Sequence, residues 1–171
     1  MAISEAELLA AFRRLERPLY SVLYRWLWHA HDCQDLIQDT FLRIWDQRQS
    51  VDVARIDALI YASALNLAKN KLRWRGLWRW GEVDPEVLAE GSDGPLATAE
   101  RRQREWVLRR ALDGLDRDSR NLVLLSECAG RLSTEELVAV FGWPAGTVAS
   151  RKHRALAKLR EALAIDRKSV V

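Results

Sequence analysis

Apolar positions recur at helical spacing along most of this chain. Leu8, Phe12, Leu15, Leu19, Val22, Leu23, Trp26 and Leu27 predict a first helix. Ser4 and Glu7 ahead of them match a capping box. Pro18 predicts a kink in this run or its division into two helices. A second helix is expected from a cap at Asp32 to about Gln47, followed by a loop over residues 49–53 and a third helix over 55–74. Gly81, Pro85, Gly91, Gly94 and Pro95 mark residues 76–97 as a connector. Helical spacing returns over 98–113, 118–128, 134–141 and 145–164, and residues 166–171 carry no packing pattern. The expected fold is all-α: two small helical domains, 1–76 and 98–171, joined by a flexible linker over 77–97.

Three of these helices divide into unlike faces. On the second, Ile37, Thr40, Phe41 and Ile44 form a core face. Asp35, Asp39 and Asp46 lie opposite, flanked by Gln38, Leu42 and Trp45. Carboxylates with an apolar rim suit a basic protein partner, although a solvated face with stray apolar residues fits equally well. On the third, Tyr61, Ala64, Leu65, Ala68 and Leu72 face inward, and Asn66, Lys69, Asn70 and Arg73 face outward. Asn can pair with a base edge, and Lys and Arg neutralise phosphate. Trp74, Trp78 and Trp80 border this face and could stack on unpaired bases or pack internally. Trp26, Trp28 and Trp106 are expected in the core.

The C-terminal helices carry turn chemistry as well. Ser133 and Glu136 form a second capping box, Gly142 permits a turn, and Pro144 suits a helix start. In the final helix Val148, Ala155, Leu159 and Leu163 face inward; Thr147, Arg151, Arg154 and Lys158 face outward, with Ser150 adjacent. A capped helix, a glycine turn and a cationic second helix describe a helix-turn-helix that reads the major groove.

Net charge is only +3, but its placement is uneven. Lys69, Lys71, Arg73, Arg75 and Arg79 form one basic stretch, and residues 151–160 form another. Glu82, Asp84, Glu86, Glu90, Asp93 and Glu100 lie between them without a base. Two nucleic-acid contacts separated by an acidic spacer would have this signature. Cys33 and Cys128 have neither disulfide nor metal spacing and are expected as reduced core thiols. His29 and His31 beside Asp32 are weak evidence for a metal. Without a catalytic triad or phosphate loop, the expectation is a non-enzyme with no cofactor, metal or small-molecule substrate. No signal peptide or membrane-length apolar stretch is evident, so a soluble cytoplasmic protein is expected.

In order, these segments resemble the extracytoplasmic-function (ECF) group of bacterial sigma factors. The stretch from Asp35 through Trp45 resembles the signature of region 2. Ala58, Tyr61, Ala64, Asn66, Ala68, Leu72 and Arg73 are similar to the promoter-reading helix that follows it. Leu112, Leu115, Arg120, Leu122, Leu124 and Gly130-Arg131-Leu132-Ser133 lead into Gly146-Thr147-Val148 and Ser150-Arg151, similar to region 4. The pattern departs from the family at Leu65, often Arg, at Asp116, often Pro, at Ala149, usually Lys, and at Lys152, commonly apolar. The resemblance implies that Asp35, Gln38, Asp39, Leu42 and Trp45 grip the coiled coil of the largest subunit of core RNA polymerase. It implies that Asn66, Lys69, Asn70 and Arg73 contact the melted −10 element of promoter DNA. Thr147, Ser150, Arg151, Arg154 and Lys158 would contact the −35 duplex. ECF relatives are usually held inactive by an anti-sigma factor, which makes such a protein the expected partner. The competing readings are a stand-alone helix-turn-helix regulator and an interaction module with no DNA role.

Overall fold

The structure is a computed structural model that describes residues 2–78, 95–130 and 132–168. Its helices are α1 (Glu5–Leu27), α2 (Ala30–Asp46), α3 (Ile56–Trp78), α4 (Pro95–Asp113), α5 (Arg117–Glu127), α6 (Thr134–Phe141) and α7 (Ala145–Lys168), with a 3₁₀ turn at Val53–Arg55. Helices α1, α2 and α3 pack on one another around Leu19, Val22, Leu23, Ile44, Ile60 and Tyr61, all fully buried. Helices α5, α6 and α7 form the second core around Leu122, Leu124, Leu125, Leu137 and Val148, and α4 lies against α7 and adds Leu112.

Both capping boxes form. Ser4 and Glu7 exchange bonds at the start of α1, and Ser133 and Glu136 do so at α6. Gly142 ends α6 at φ 68°, a left-handed conformation that glycine adopts without a Cβ penalty. Pro144 then stands just before α7, its carbonyl accepting from the amides of Thr147 and Val148.

Several boundaries differ from expectation. Helix α1 does not divide at Pro18; it is one helix of 23 residues. Proline removes a single backbone bond, while Leu15, Leu19, Val22 and Leu23 on either side of it are buried against α2 and α3. Asp32 does not cap α2. The cap is His29, whose Nδ1 accepts from the Asp32 amide at 3.2 Å. Trp28 at φ 52° ends α1 immediately before it. Helix α3 runs on to Trp78, α4 begins at Pro95, and α7 extends to Lys168, past the expected end near residue 164. The middle of the expected connector, residues 79–94, lies outside the described residues. Asp116 itself caps α5: it accepts from the Ser119 hydroxyl at 2.6 Å and from the Ser119 amide at 3.0 Å. These bonds, the hydroxyl first, hold its carboxyl below the ordinary range.

A polar seam runs beside the apolar contacts that join the two cores into one continuous cluster. Trp26 Nε1 donates to Asn121 Oδ1 at 2.9 Å, and the Tyr61 hydroxyl meets the Ala129 carbonyl at 3.5 Å. Arg120, only 6% exposed, donates to Asp113 at 2.7 Å and to the Arg25 carbonyl at 2.6 Å while stacking 4.2 Å above the Trp26 ring. Burial lowers the Arg120 pKa and Asp113 offsets part of that cost.

Candidate protein-docking and nucleic-acid surfaces

The first surface is a groove of about 770 Å³ between α1 and α2. Leu8, Phe12 and Tyr20 form its α1 wall; Ile37, Gln38, Phe41, Leu42 and Trp45 form the α2 wall. Leu42 is 53% exposed and continues the apolar lining of the groove rather than standing alone on the surface. The Arg48 guanidinium lies 4.4 Å above the Trp45 ring and holds the half-buried indole at the groove mouth. Gln38 and Asp39 are exposed, and half-buried Asp35 approaches His31 at 3.5 Å. The α1 wall was missed in the sequence because Leu8 and Phe12 read there as ordinary core spacing and Tyr20 lay outside that pattern.

The second surface is the outer face of α3. Asn66, Lys69, Asn70 and Arg73 are all exposed on it, and Trp74 is 64% exposed, which removes the internal-packing alternative for that indole. The side chains of Trp78 and Trp80 lie outside the described residues. Lys71 turns the other way. Its ammonium meets the buried carboxylate of Asp32 at 2.8 Å. Asp32 and Lys71 therefore tie the start of α2 to α3. Asn66 and Lys69 also border a cleft of about 610 Å³ whose far wall is Phe141 and Trp143 of the helix-turn-helix.

The third surface is α7. Ser150, Arg151, Arg154 and Lys158 are exposed and Thr147 is half-buried. Ser150 Oγ donates to the Thr147 carbonyl, and Arg154 Nε donates to the Ser150 carbonyl at 3.3 Å. Arg151 sits 4.4 Å above the Trp143 ring and 3.6 Å from the Asp118 carboxylate. Neither neighbour was singled out in the sequence, because Asp118 is more than thirty positions away and Trp143 reads as a turn residue. Lys152, where the family is commonly apolar, is half-buried, as a snorkelling lysine would be.

Two expectations about aromatics and thiols can be settled. Trp106 is not core: it is 51% exposed, on a helix whose surface is crowded with arginine, with Arg110 stacked 4.7 Å above it. Trp26 and Trp28 are half-buried against the core, as expected. Cys33 is fully buried, and desolvation pushes its thiol up to about 12; burial raises Cys128 as well. Neither is poised as a thiolate.

Comparison with known proteins places both halves in one family. The family model for Sigma-70 region 2 matches residues 11–77, and that for Sigma-70, region 4 matches residues 105–159. The chain is 35% identical over 134 residues to an RNA polymerase sigma-E factor of Streptomyces coelicolor, covering 77% of this chain and 72% of that one. It is 33% identical over 155 residues to the ECF RNA polymerase sigma factor SigE of Mycolicibacterium smegmatis, covering 85% of this chain but only 57% of the relative's length. In fold it resembles CnrH, solved in complex with the cytosolic domain of CnrY, with a TM-score of 0.72, 23% identity and coverage of 95% and 91% of the two chains. It likewise resembles the sigma factor RpoE, solved with the anti-sigma factor NepR from Bartonella quintana, with a TM-score of 0.63, 23% identity and coverage of 95% and 97%. Two region models in chain order and a relative matched over most of its length leave one conclusion: this chain belongs to the ECF group of the sigma-70 family of RNA polymerase sigma factors.

Proposed function

We propose that residues 1–76 dock on core RNA polymerase and read the −10 element, that 77–97 connect, and that 98–171 read the −35 element. The observation that carries this reading is the α1–α2 groove, lined by Gln38, exposed Leu42 and half-buried Trp45 on the same helix that bears Asp35 and Asp39. Apolar area supplies binding free energy and the carboxylates select a basic partner helix, here the coiled coil of the largest polymerase subunit. Asn66, Lys69, Asn70 and Arg73 would hold the melted non-template strand. Trp74 offers a stacking platform at the end of the same face. Thr147, Ser150, Arg151, Arg154 and Lys158 would enter the −35 major groove.

Strand opening in this reading needs no covalent chemistry, in keeping with sigma factors being initiation factors rather than catalysts. Contacts to the open strand offset an unpairing cost of about a few kcal/mol per extruded base. Among the described residues no helix is long and apolar enough to cross a membrane. The chain would act where the polymerase acts, in the cytoplasm. Its fold neighbours were solved with CnrY and with NepR, and an anti-sigma protein is the corresponding proposed partner here, covering the same groove. A stand-alone regulator is not favoured, because both halves match one family in chain order.

The test is co-elution of the chain with core RNA polymerase in size-exclusion chromatography. Wild type is expected in the polymerase peak and the Asp35→Lys/Asp39→Lys variant outside it. A folded wild-type chain that never joins that peak would refute the proposal.

A further inference from the structure

The proposed −35 reader Arg151 is bracketed by two residues to which nothing above gives a role. Below it lies Trp143, its ring 4.4 Å from the guanidinium carbon. Trp143 is in turn stacked on Phe141, ring centroids 4.6 Å apart and 23° from parallel, and it follows the left-handed turn at Gly142. At the edge of the guanidinium lies Asp118, with its carboxylate oxygen 3.6 Å from Arg151 Nη1. Asp118 sits in the first turn of α5, where Arg117 approaches it at 3.4 Å. A flat cation between an aromatic face and a carboxylate edge has its plane and its reach both restricted.

We propose that Trp143 and Asp118 are positioning residues that set the base selectivity of Arg151. This rests on the reading of α7 as the −35 helix. Arg takes guanine through two parallel donors, so the plane of the fork must match the plane of the base. A free arginine side chain carries rotamer entropy that a prearranged one has already surrendered before DNA arrives. The carboxylate of Asp118 repels phosphate. It therefore lowers general affinity while it sharpens the fork, and its contribution appears as discrimination rather than tighter binding.

The test reconstitutes the full chain with core polymerase and selects bound fragments from a promoter library randomised across the −35 duplex. Wild type, Arg151→Ala, Trp143→Leu, Trp143→Tyr and Asp118→Asn are run in parallel. Arg151→Ala is expected to erase a guanine preference at one position. Trp143→Leu and Asp118→Asn are expected to weaken that same preference about 10-fold, with the other positions unchanged. Trp143→Tyr, which keeps a flat ring, should retain it, and Asp118→Asn should bind total DNA no more weakly than wild type. Unchanged selection by both Trp143→Leu and Asp118→Asn, while Arg151→Ala is impaired, overturns the positioning role alone. Unchanged selection by Arg151→Ala overturns that role together with the reading of α7. Should Trp143→Leu fail to fold, half-buried Asp118 carries the test through its isosteric replacement.

Discussion

On α3 the outward cations Lys69 and Arg73 have no ion pair among the described residues, and the one lysine that is fastened there, Lys71, is turned inward to Asp32. On α7 two of the three outward cations are held, Arg151 between Trp143 and Asp118 and Arg154 by the Ser150 carbonyl, while Lys158 has no ion pair among the described residues. The difference fits the two proposed substrates. A melted strand is a flexible polyanion, and loosely held cations can follow it. A duplex presents base edges at fixed angles, and a reader there gains from groups fixed in advance. One small chain thus carries both kinds of recognition on helices of similar length.

The comparison is most severely tested through the cores. Leu23→Ala in the first half and Leu124→Ala in the second should each cost about 3 kcal/mol in denaturant unfolding. The seam through Trp26, Arg120 and Tyr61 should make each variant lower a single shared transition. Two separate transitions, each moved by only one variant, would show that the halves are independent. A smaller effect is expected from Asp32→Ala, which leaves Lys71 without its 2.8 Å partner and should cost about 2 kcal/mol. It should also add a loose cation to α3, steepening the salt dependence of holoenzyme–promoter binding by about one phosphate contact. A salt slope unchanged from wild type would mean that Lys71 stays held by other means. The smallest effect is at the cap of α5, the helix that presents Asp118. Asp116→Ala should lower stability by about 1 kcal/mol at neutral pH. The folded-state pKa of Asp116 lies below its ordinary value of 3.8, so its contribution is complete above that value and disappears as pH falls through the lower one. Thermal melts of wild type and variant should therefore converge only in strong acid.

Much of this could be read from the residues in order. Both capping boxes, the Gly142 turn and the inward sets on α2, α3 and α7 are local signals, and each element formed where its signal stood. The failures came from forces that a linear pattern does not carry. Pro18 sits inside an unbroken helix because packing on both sides outweighs one lost backbone bond. Asp32, a better capping residue than His29 by composition, was drawn instead into a pair with a lysine on another helix. Trp106 lies outside because α4 has too little apolar surface to bury it. Of the candidate surfaces, the residues of α2, α3 and α7 were visible as helical faces. The α1 wall of the groove and the bracket around Arg151 arise only when distant segments meet.

The eight tryptophans of this chain have an optical consequence. Trp45 stands at the groove, Trp74 on the outer face of α3, Trp143 beneath Arg151 and Trp26 in the seam between the cores. Indole emission shifts toward shorter wavelength as water leaves the ring. Each surface thus carries its own native chromophore. With the remaining indoles replaced by phenylalanine, the colour of a single tryptophan would tell which face of the molecule is covered at each moment of an encounter.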